Sequence, residues 1–388
     1  MPCALCPAPC ALRLLYIFIS SIYICPVRGL SDLEPPEADR LGKASGIAKN
    51  LELDFLLLPV LEEALLGAVR SKVAVLDGLV MALDRIEEAG LKVRLITPAQ
   101  KVLGLYWVPP YLAGAVTDPG AQPVFVDRKV RNLRPFDWWS DPSIVSNRVK
   151  IFREMVSALH DHPALSGWII LDRTLEWAKP EPHIADIFLK SHVAEIRERD
   201  EQSGIYLGLG WSALLEPETA LPLARQVDGL RIGGLDQPPR FLKGHGLAHE
   251  LLTAAYLGCL AQWLFQCPVD MEIGWASWDT KDEIEQLLEA GSEMAARGLD
   301  GMTWLSLQDP EQRIEWHPPW NLRPGLATTG LLDRAGEPKE KIEVLFKQVR
   351  STKTMDGPYD FIDLSRDDYL EDPPIHLERL WDHFRESL

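Results

Sequence analysis

Chemistry-bearing side chains in this 388-residue sequence gather at the ends of five short apolar runs. One run leads into Asp172-Arg173-Thr174-Leu175-Glu176-Trp177, and the next ends in Gly210-Trp211. The others end in Gly233-Gly234-Leu235-Asp236, in Glu272-Ile273-Gly274-Trp275 with Trp278 close behind, and in a stretch from Trp304 to Gln308-Asp309. Carboxylates and tryptophans in this arrangement suit the cleavage of a glycosidic bond. One carboxyl protonates the leaving oxygen while a second attacks, or activates water, at an oxocarbenium-like carbon. A sugar ring offers an apolar C–H face on which an indole stacks, and the indole N–H reaches a hydroxyl. Any single tryptophan is as readily a core or rim residue. The set weighs more than its members, because tryptophan recurs after four of the five runs.

Strands of one sheet, separated by helices, would bring such ends together. Apolar residues fall at helical spacing over 75–89, and Gly90 stands where a helix C-cap belongs. Further helices are predicted over 37–50, 148–160, 184–199, 248–265, 281–297 and 339–349. Strands are predicted over 53–60, 92–96, 167–171, 205–209, 227–232, 269–273 and 302–307, and residues 20–27 supply an eighth. Strand and helix in alternation imply parallel βαβ units. Eight of them close into an α/β fold, the (β/α)8 TIM barrel, whose active site lies at the C-terminal strand ends. An open doubly wound sheet is the rival, but no GxGxxG follows an early strand. The segment 105–141, with Trp107, Trp138 and Trp139 between prolines, reads as a functional loop that extends a cleft.

With 46% hydrophobic residues the chain can bury the core of one large barrel or of two ordinary domains. It carries 40 basic and 57 acidic residues, and the net charge of −17 repels phosphate backbones and anionic headgroups. Nucleic acid and a membrane surface are therefore not expected as partners. Six cysteines in a chain this long do not make a disulfide framework, and Cys3, Cys6 and Cys10 lack the further ligands of a structural zinc. His245 and His249 stand four apart, but Gly246 occupies the place of the glutamate that a zinc protease needs. His160 and His162 precede the fourth strand, on the wrong rim for barrel chemistry. No metal and no cofactor is assigned, and no GxSxG nucleophile elbow occurs.

The two ends of the chain are read separately. Residues 14–27 are uncharged and follow Arg13, which fits a secretory h-region or the first barrel strand equally well. No small-x-small cleavage pattern precedes Arg28. The location that follows is secreted or cell-surface in the first case and cytoplasmic in the second. Residues 351–388 are rich in acid and end in an amphipathic helix over 375–386. Its apolar positions Leu377, Leu380, Trp381 and Phe384 fit packing onto the barrel better than a free partner-binding helix. The division is thus 1–30, signal, anchor or first strand; 31–350, barrel; and 351–388, acidic helical extension.

Several longer stretches resemble a known family. His162-Pro163-Ala164-Leu165-Ser166-Gly167-Trp168-Ile169-Ile170 is similar to the lead into the fourth strand of clan A glycoside hydrolases. Cys267-Pro268-Val269-Asp270-Met271-Glu272-Ile273-Gly274 resembles their seventh strand, which ends in the nucleophilic glutamate. Gly301-Met302-Thr303-Trp304-Leu305-Ser306-Leu307-Gln308-Asp309 resembles the eighth, with its subsite tryptophan. Gly330-Leu331-Leu332-Asp333-Arg334-Ala335-Gly336-Glu337-Pro338-Lys339 resembles the closing turn of family 5 and its relatives. The resemblance covers roughly residues 50–350 and implies a barrel with Glu272 as nucleophile.

Departures fall at the acid/base. The family ends its fourth strand in Asn-Glu, where this chain has Asp172-Arg173. Its arginine after the second strand is missing from Leu56-Leu57-Leu58-Pro59, and Arg231-Ile232-Gly233 lacks the expected tyrosine. Asp172, by a one-residue shift, and Glu176, from the loop, are the substitutes. Arg173 would lower the pKa of a neighbouring carboxyl, and a salt-bridged structural Asp172 is the alternative. Glu176 is preferred, because Trp177 beside it supplies the apolar contact that raises a carboxyl pKa.

The expectation is a retaining glycoside hydrolase of β-linked oligo- or polysaccharides. Trp304, Trp275 and Trp211 would line the reacting sugar, with Trp177, Trp278, Trp107, Arg173 and Asp309 as further contacts. The alternative is a degenerate barrel that binds carbohydrate without cleaving it.

Overall fold

The structure, a computed structural model, describes residues 16–20, 35–61, 72–109, 113–116, 122–126, 129–135, 138–177, 179–242, 244, 246–278, 284–299, 301–310, 312 and 320–388. Eight strands form a closed barrel: β1 (Tyr16–Ser20), β2 (Phe55–Leu61), β3 (Lys92–Ala99), β4 (Leu165–Ile170), β5 (Gly204–Gly210), β6 (Gly229–Gly233), β7 (Val269–Ile273) and β8 (Gly301–Trp304). Every neighbouring pair is parallel, and β1 closes the ring between β2 and β8. The helices between strands are α1 (Pro35–Asn50), α2 (Lys72–Glu88), α3 (Pro142–Leu159), α4 (Pro182–Arg197), α5 (Pro217–Ala224), α6 (Leu247–Phe265) and α7 (Ile284–Ala296), and α8 (Glu340–Ser351) follows β8. The TIM barrel read from alternation is the observed fold.

Local chemistry sets several of these boundaries. Asp141 caps α3, its carboxylate accepting from the Ser143 and Ile144 amides, and Pro142 fills the first turn, where no N–H is needed. Helix α3 therefore starts six residues before the predicted 148. Gly90 takes φ +74 just past α2, the left-handed C-cap expected of it. Helix α5, which sequence reading passed over, is short and carries an internal Pro222. The closing strand lies at Tyr16–Ser20 rather than at 20–27, with Ile19 registered against both Trp304 and Leu56. An all-apolar run has no alternation to fix its register from sequence. Residues 21–27 lie outside the described residues.

The segment after β3 is not an irregular loop. It holds a second sheet of five short strands, Lys101–Val102, Leu105–Trp107, Gln122–Val126, Lys129–Pro135 and Ala113–Val116 in spatial order. Its hairpin pairs Val124 with Arg131 and Val126 with Lys129. Trp107 is fully buried against Phe125, with ring centroids 4.2 Å apart, so it is the core of this sheet and not a cleft wall. Trp138 and Trp139 are likewise buried, stacked at 3.8 Å, and the Arg148 guanidinium lies 3.4 Å from the Trp138 ring.

The extension ends in α9 (Arg366–Glu371) and α10 (Pro373–Glu386). Leu377, Leu380, Trp381 and Phe384 are all buried, as the stripe predicted. Burying each is worth about 1.5–3 kcal/mol. The α6 residue Tyr256 donates to the Leu377 carbonyl, and Arg297 pairs with Glu293 and Asp360 and donates to Ser387 Oγ at 2.9 Å. These contacts hold the extension on the barrel.

Candidate active site

Alternation along β7 points Asp270 and Glu272 to one face, and both are buried. The same parity on β6 places Arg231 among them, registered opposite Asp270. Arg231 donates through Nη2 to Glu272 Oε2 and through Nη1 to Asp172 Oδ1 at 2.6 Å. One guanidinium, 3% exposed, thus holds two carboxyls from strands four and seven. The second oxygen of Glu272, Oε1, accepts no hydrogen bond and lies 3.8 Å from Arg173 Nη1. Burial pushes the Asp172 carboxyl up. Arg231 opposes that, neighbouring Glu272 adds to it, and the net direction is upward.

Arg173 stands where the resembling family carries its acid/base glutamate. Leu171 and Arg173 adopt left-handed φ of 54° and 53°, a conformation that costs a non-glycine residue about 1 kcal/mol or more. Arg173 Nε donates to Glu176 Oε2 at 3.1 Å, and Nη2 donates to Asp236 Oδ1 at 3.3 Å. Glycines make this crowding possible. A Cβ on Gly210 would lie 1.5 Å from Glu176 Oε1, one on Gly208 2.4 Å from Asp172 Oδ1, and one on Gly233 3.0 Å from Glu272 Oε1.

Glu176 lies in a short helix, Thr174–Trp177, and also accepts from Lys101 Nζ at 2.9 Å and Tyr106 Oη at 3.3 Å. Burial raises its carboxyl, but Arg173 and Lys101 outweigh that and hold it below the ordinary range. The reason for preferring Glu176 as proton donor therefore fails: its nearest polar neighbours are two cations. Trp177 belongs to the same helix, and its side chain lies outside the described residues. Lys101 and Tyr106 come from the inserted sheet and were missed by sequence reading. The signal for them was the length of that insertion.

The other tryptophans separate by burial. Trp304 is 1% exposed, stacks on Trp278 at 4.9 Å, and donates its N–H to the Thr329 carbonyl. Neither it nor Trp278 offers a free face to a sugar. Gly274, at φ +95, lets the chain pass over Trp304, since a Cβ there would meet Nε1 at 2.7 Å. Trp211 is half-buried and donates to the Gln237 carbonyl at 3.0 Å. Trp275 is half-buried too, and its Nε1 has no hydrogen-bond partner. Asp309 accepts from the Gly330 amide and Lys339, so it clamps the closing turn rather than facing a ligand.

Glu250 is the residue sequence reading did not single out. From the first turn of α6 its carboxyl accepts the amides of Gly274, Trp275 and Ala276 at 2.7–2.9 Å, fixing the chain directly after Glu272. Burial raises its pKa to about 7, against the lowering effect of those three amides. His249 donates Nε2 to the Leu242 carbonyl, and His245 lies outside the described residues. On the opposite rim, Asp84, Glu87 and His162 bring three ligand atoms within 4.8 Å of one another. The Ala164 amide donates to His162 Nδ1, which leaves Nε2 as the donor to Asp84. That is a hydrogen-bonded ring, not one with a lone pair turned to a metal.

A closed parallel barrel with buried acids and arginines at its C-terminal rim defines the class: the fold of clan A glycoside hydrolases, family 5-like. No family model matches the chain, and no curated protein matches it by sequence. Solved structures do. A GH5_18 from Streptomyces cattleya in complex with GlcNAc has a TM-score of 0.67 at 16% identity, covering 88% of this chain and 82% of that one. A GH5_18 variant from Bifidobacterium longum subsp. longum in complex with Manb1-4GlcNAc has a TM-score of 0.67 at 15% identity, covering 88% and 80%. The exo-beta-1,4-mannosidase Op5Man5 from Opitutaceae bacterium strain TAV5 has a TM-score of 0.66 at 16% identity, covering 87% of this chain and 59% of that one. Among the described residues no helix is long and apolar enough to cross a membrane.

Proposed function

We propose that the chain is a glycoside hydrolase of β-linked saccharides, with Glu272 as nucleophile. The observation that carries this reading is the β7 carboxyl itself: Oε2 is held by Arg231, while Oε1 is buried and accepts no hydrogen bond. Oε1 would attack the anomeric carbon as the bond to the leaving oxygen breaks. Water would then release the sugar from the glycosyl-enzyme with retention. The leaving oxygen takes its proton from Asp172, whose carboxyl is raised, whereas Glu176 is held low by its cations. The sugars and activity in the neighbours' names, GlcNAc, Manb1-4GlcNAc and exo-beta-1,4-mannosidase, make β-mannosides the first substrates to try.

Arg173 favours a second reading. A guanidinium at the acid/base position, itself paired to Glu176 and Asp236, supports a barrel that binds saccharide without cleaving it. One experiment separates the two. The protein is incubated with 2-deoxy-2-fluoroglycosides of several sugars bearing an activated leaving group, which need no acid catalyst, followed by peptide mass mapping. A label on the Glu272 peptide, with turnover of natural β-mannosides, supports the hydrolase. Saccharide binding by calorimetry with no label from any probe supports the second reading and removes Glu272 as nucleophile.

A further inference from the structure

Beside the Arg231 network lies a cavity of about 310 Å³, formed where the segments after β6 and β7 meet residues 323–326. Glu272, Asp172 and Arg173 do not line it. Its size falls at the lower end of the ~300–1,000 Å³ that hold small ligands, room for one ring and not for a chain. We propose that this cavity is a separate binding pocket for a single neutral sugar ring.

Two buried polar atoms carry the assignment. Thr253 is 3% exposed, lines the cavity from α6, and its hydroxyl has no hydrogen-bond partner. Trp275 Nε1, also in the lining, is a buried donor without an acceptor. Native proteins seldom leave such groups unsatisfied, and one that lines a cavity marks the place of a missing partner. A hydroxyl can accept from the indole, and a second can donate to Thr253 or accept from it. The charged lining sets the ligand's charge. Asp236 and Glu250 face the cavity against the single guanidinium of Arg323, which pairs with Asp236 at 2.7 Å. Two carboxyls to one cation disfavour an anion. Leu235, Leu242 and Leu326 supply apolar wall, and the indole of Trp275 supplies a flat one, as a ring with polar edges and C–H faces requires.

The choice of a sugar over another neutral ring rests on the saccharide reading of the barrel. The location does not: it stands on the cavity and its two unsatisfied atoms. The test titrates methyl β-mannoside and methyl β-glucoside into the full chain by calorimetry and saturation-transfer NMR. Thr253→Val keeps the shape and removes the hydroxyl. Gly325→Leu places a side chain in the lining at a position where a Cβ meets no atom within 4 Å. Binding of at least one glycoside should weaken about 3- to 10-fold in Thr253→Val, the loss of one neutral hydrogen bond, and more in Gly325→Leu. Glu272→Gln should leave it unchanged. Affinity that falls only in Glu272→Gln, or an absence of binding by either glycoside, overturns the proposal. Labelling at Glu272 with no effect of the pocket variants would sink the pocket alone. Pocket binding without any label would sink the hydrolase reading alone.

Discussion

Two arginines lie buried on the inner side of this barrel, and they are used differently. Arg94 of β3 pairs with one carboxylate, Asp270, at 2.8 Å and is otherwise covered by the rings of Tyr206 and Phe55, 4.0 and 4.7 Å from its guanidinium carbon. Arg231 of β6 pairs with two carboxyls, Asp172 and Glu272. Asp270 and Glu272 are two residues apart on one strand, yet one partner is matched one-to-one and the other shares. A matched pair cancels its charge and reads as structure. A shared one leaves two acids competing for a single cation, which pushes Asp172 up and leaves Glu272 Oε1 without a donor. Perturbed groups of this kind mark functional sites more often than framework.

The contrast can be broken from either side. Glu272→Gln should remove turnover of any substrate found, by more than about 10³-fold, while the denaturation midpoint stays near that of the parent. Steady-state rates and urea melts on the same preparation check both halves. Asp270→Ala strands the Arg94 guanidinium and should cost about 3–5 kcal/mol in urea unfolding, the penalty of breaking a buried pair. A loss below 1 kcal/mol would mean that Arg94 finds water or another carboxylate.

Glu250 sharpens the comparison through pH. Its folded pKa is raised from 4.5 to about 7, so the folded state holds a proton that the unfolded chain releases. Its stabilising contribution is full below about 4.5 and is lost as pH rises through about 7, on the order of 3 kcal/mol across that window. Urea midpoints between pH 4 and 8 should fall with that slope in the parent and flatten in Glu250→Gln. The smallest effect is expected at Asp309→Asn, which weakens the Lys339 clamp by about 1–2 kcal/mol and leaves saccharide binding untouched. Weakened binding there would return Asp309 to the site.

Tryptophan shows where sequence reading stopped. Its recurrence after strand ends suggested stacking platforms, but recurrence at strand ends is equally the pattern of a residue sealing the barrel. Trp304 and Trp278 cover each other and Trp107 seals the inserted sheet, while Trp275 keeps an N–H without a partner. The preference for Glu176 over Asp172 failed for the same reason. The neighbour in sequence, Trp177, argued for a raised carboxyl, whereas the neighbours in space, Arg173 and Lys101, lower it.

Residue order alone determined the eight-fold alternation, the barrel, the packed terminal helix and the position of Glu272 at a C-terminal strand end. These follow from periodicity and turn chemistry, which act over a few residues. Only the tertiary structure decided which charge meets which. Arg231 reaches Asp172 across 59 residues, Lys101 reaches Glu176 across 75, and Arg94 reaches Asp270 across 176. Whether a carboxyl is raised, lowered or free to react depends on desolvation and on charges within a few ångströms. Those distances exist only once the barrel has closed.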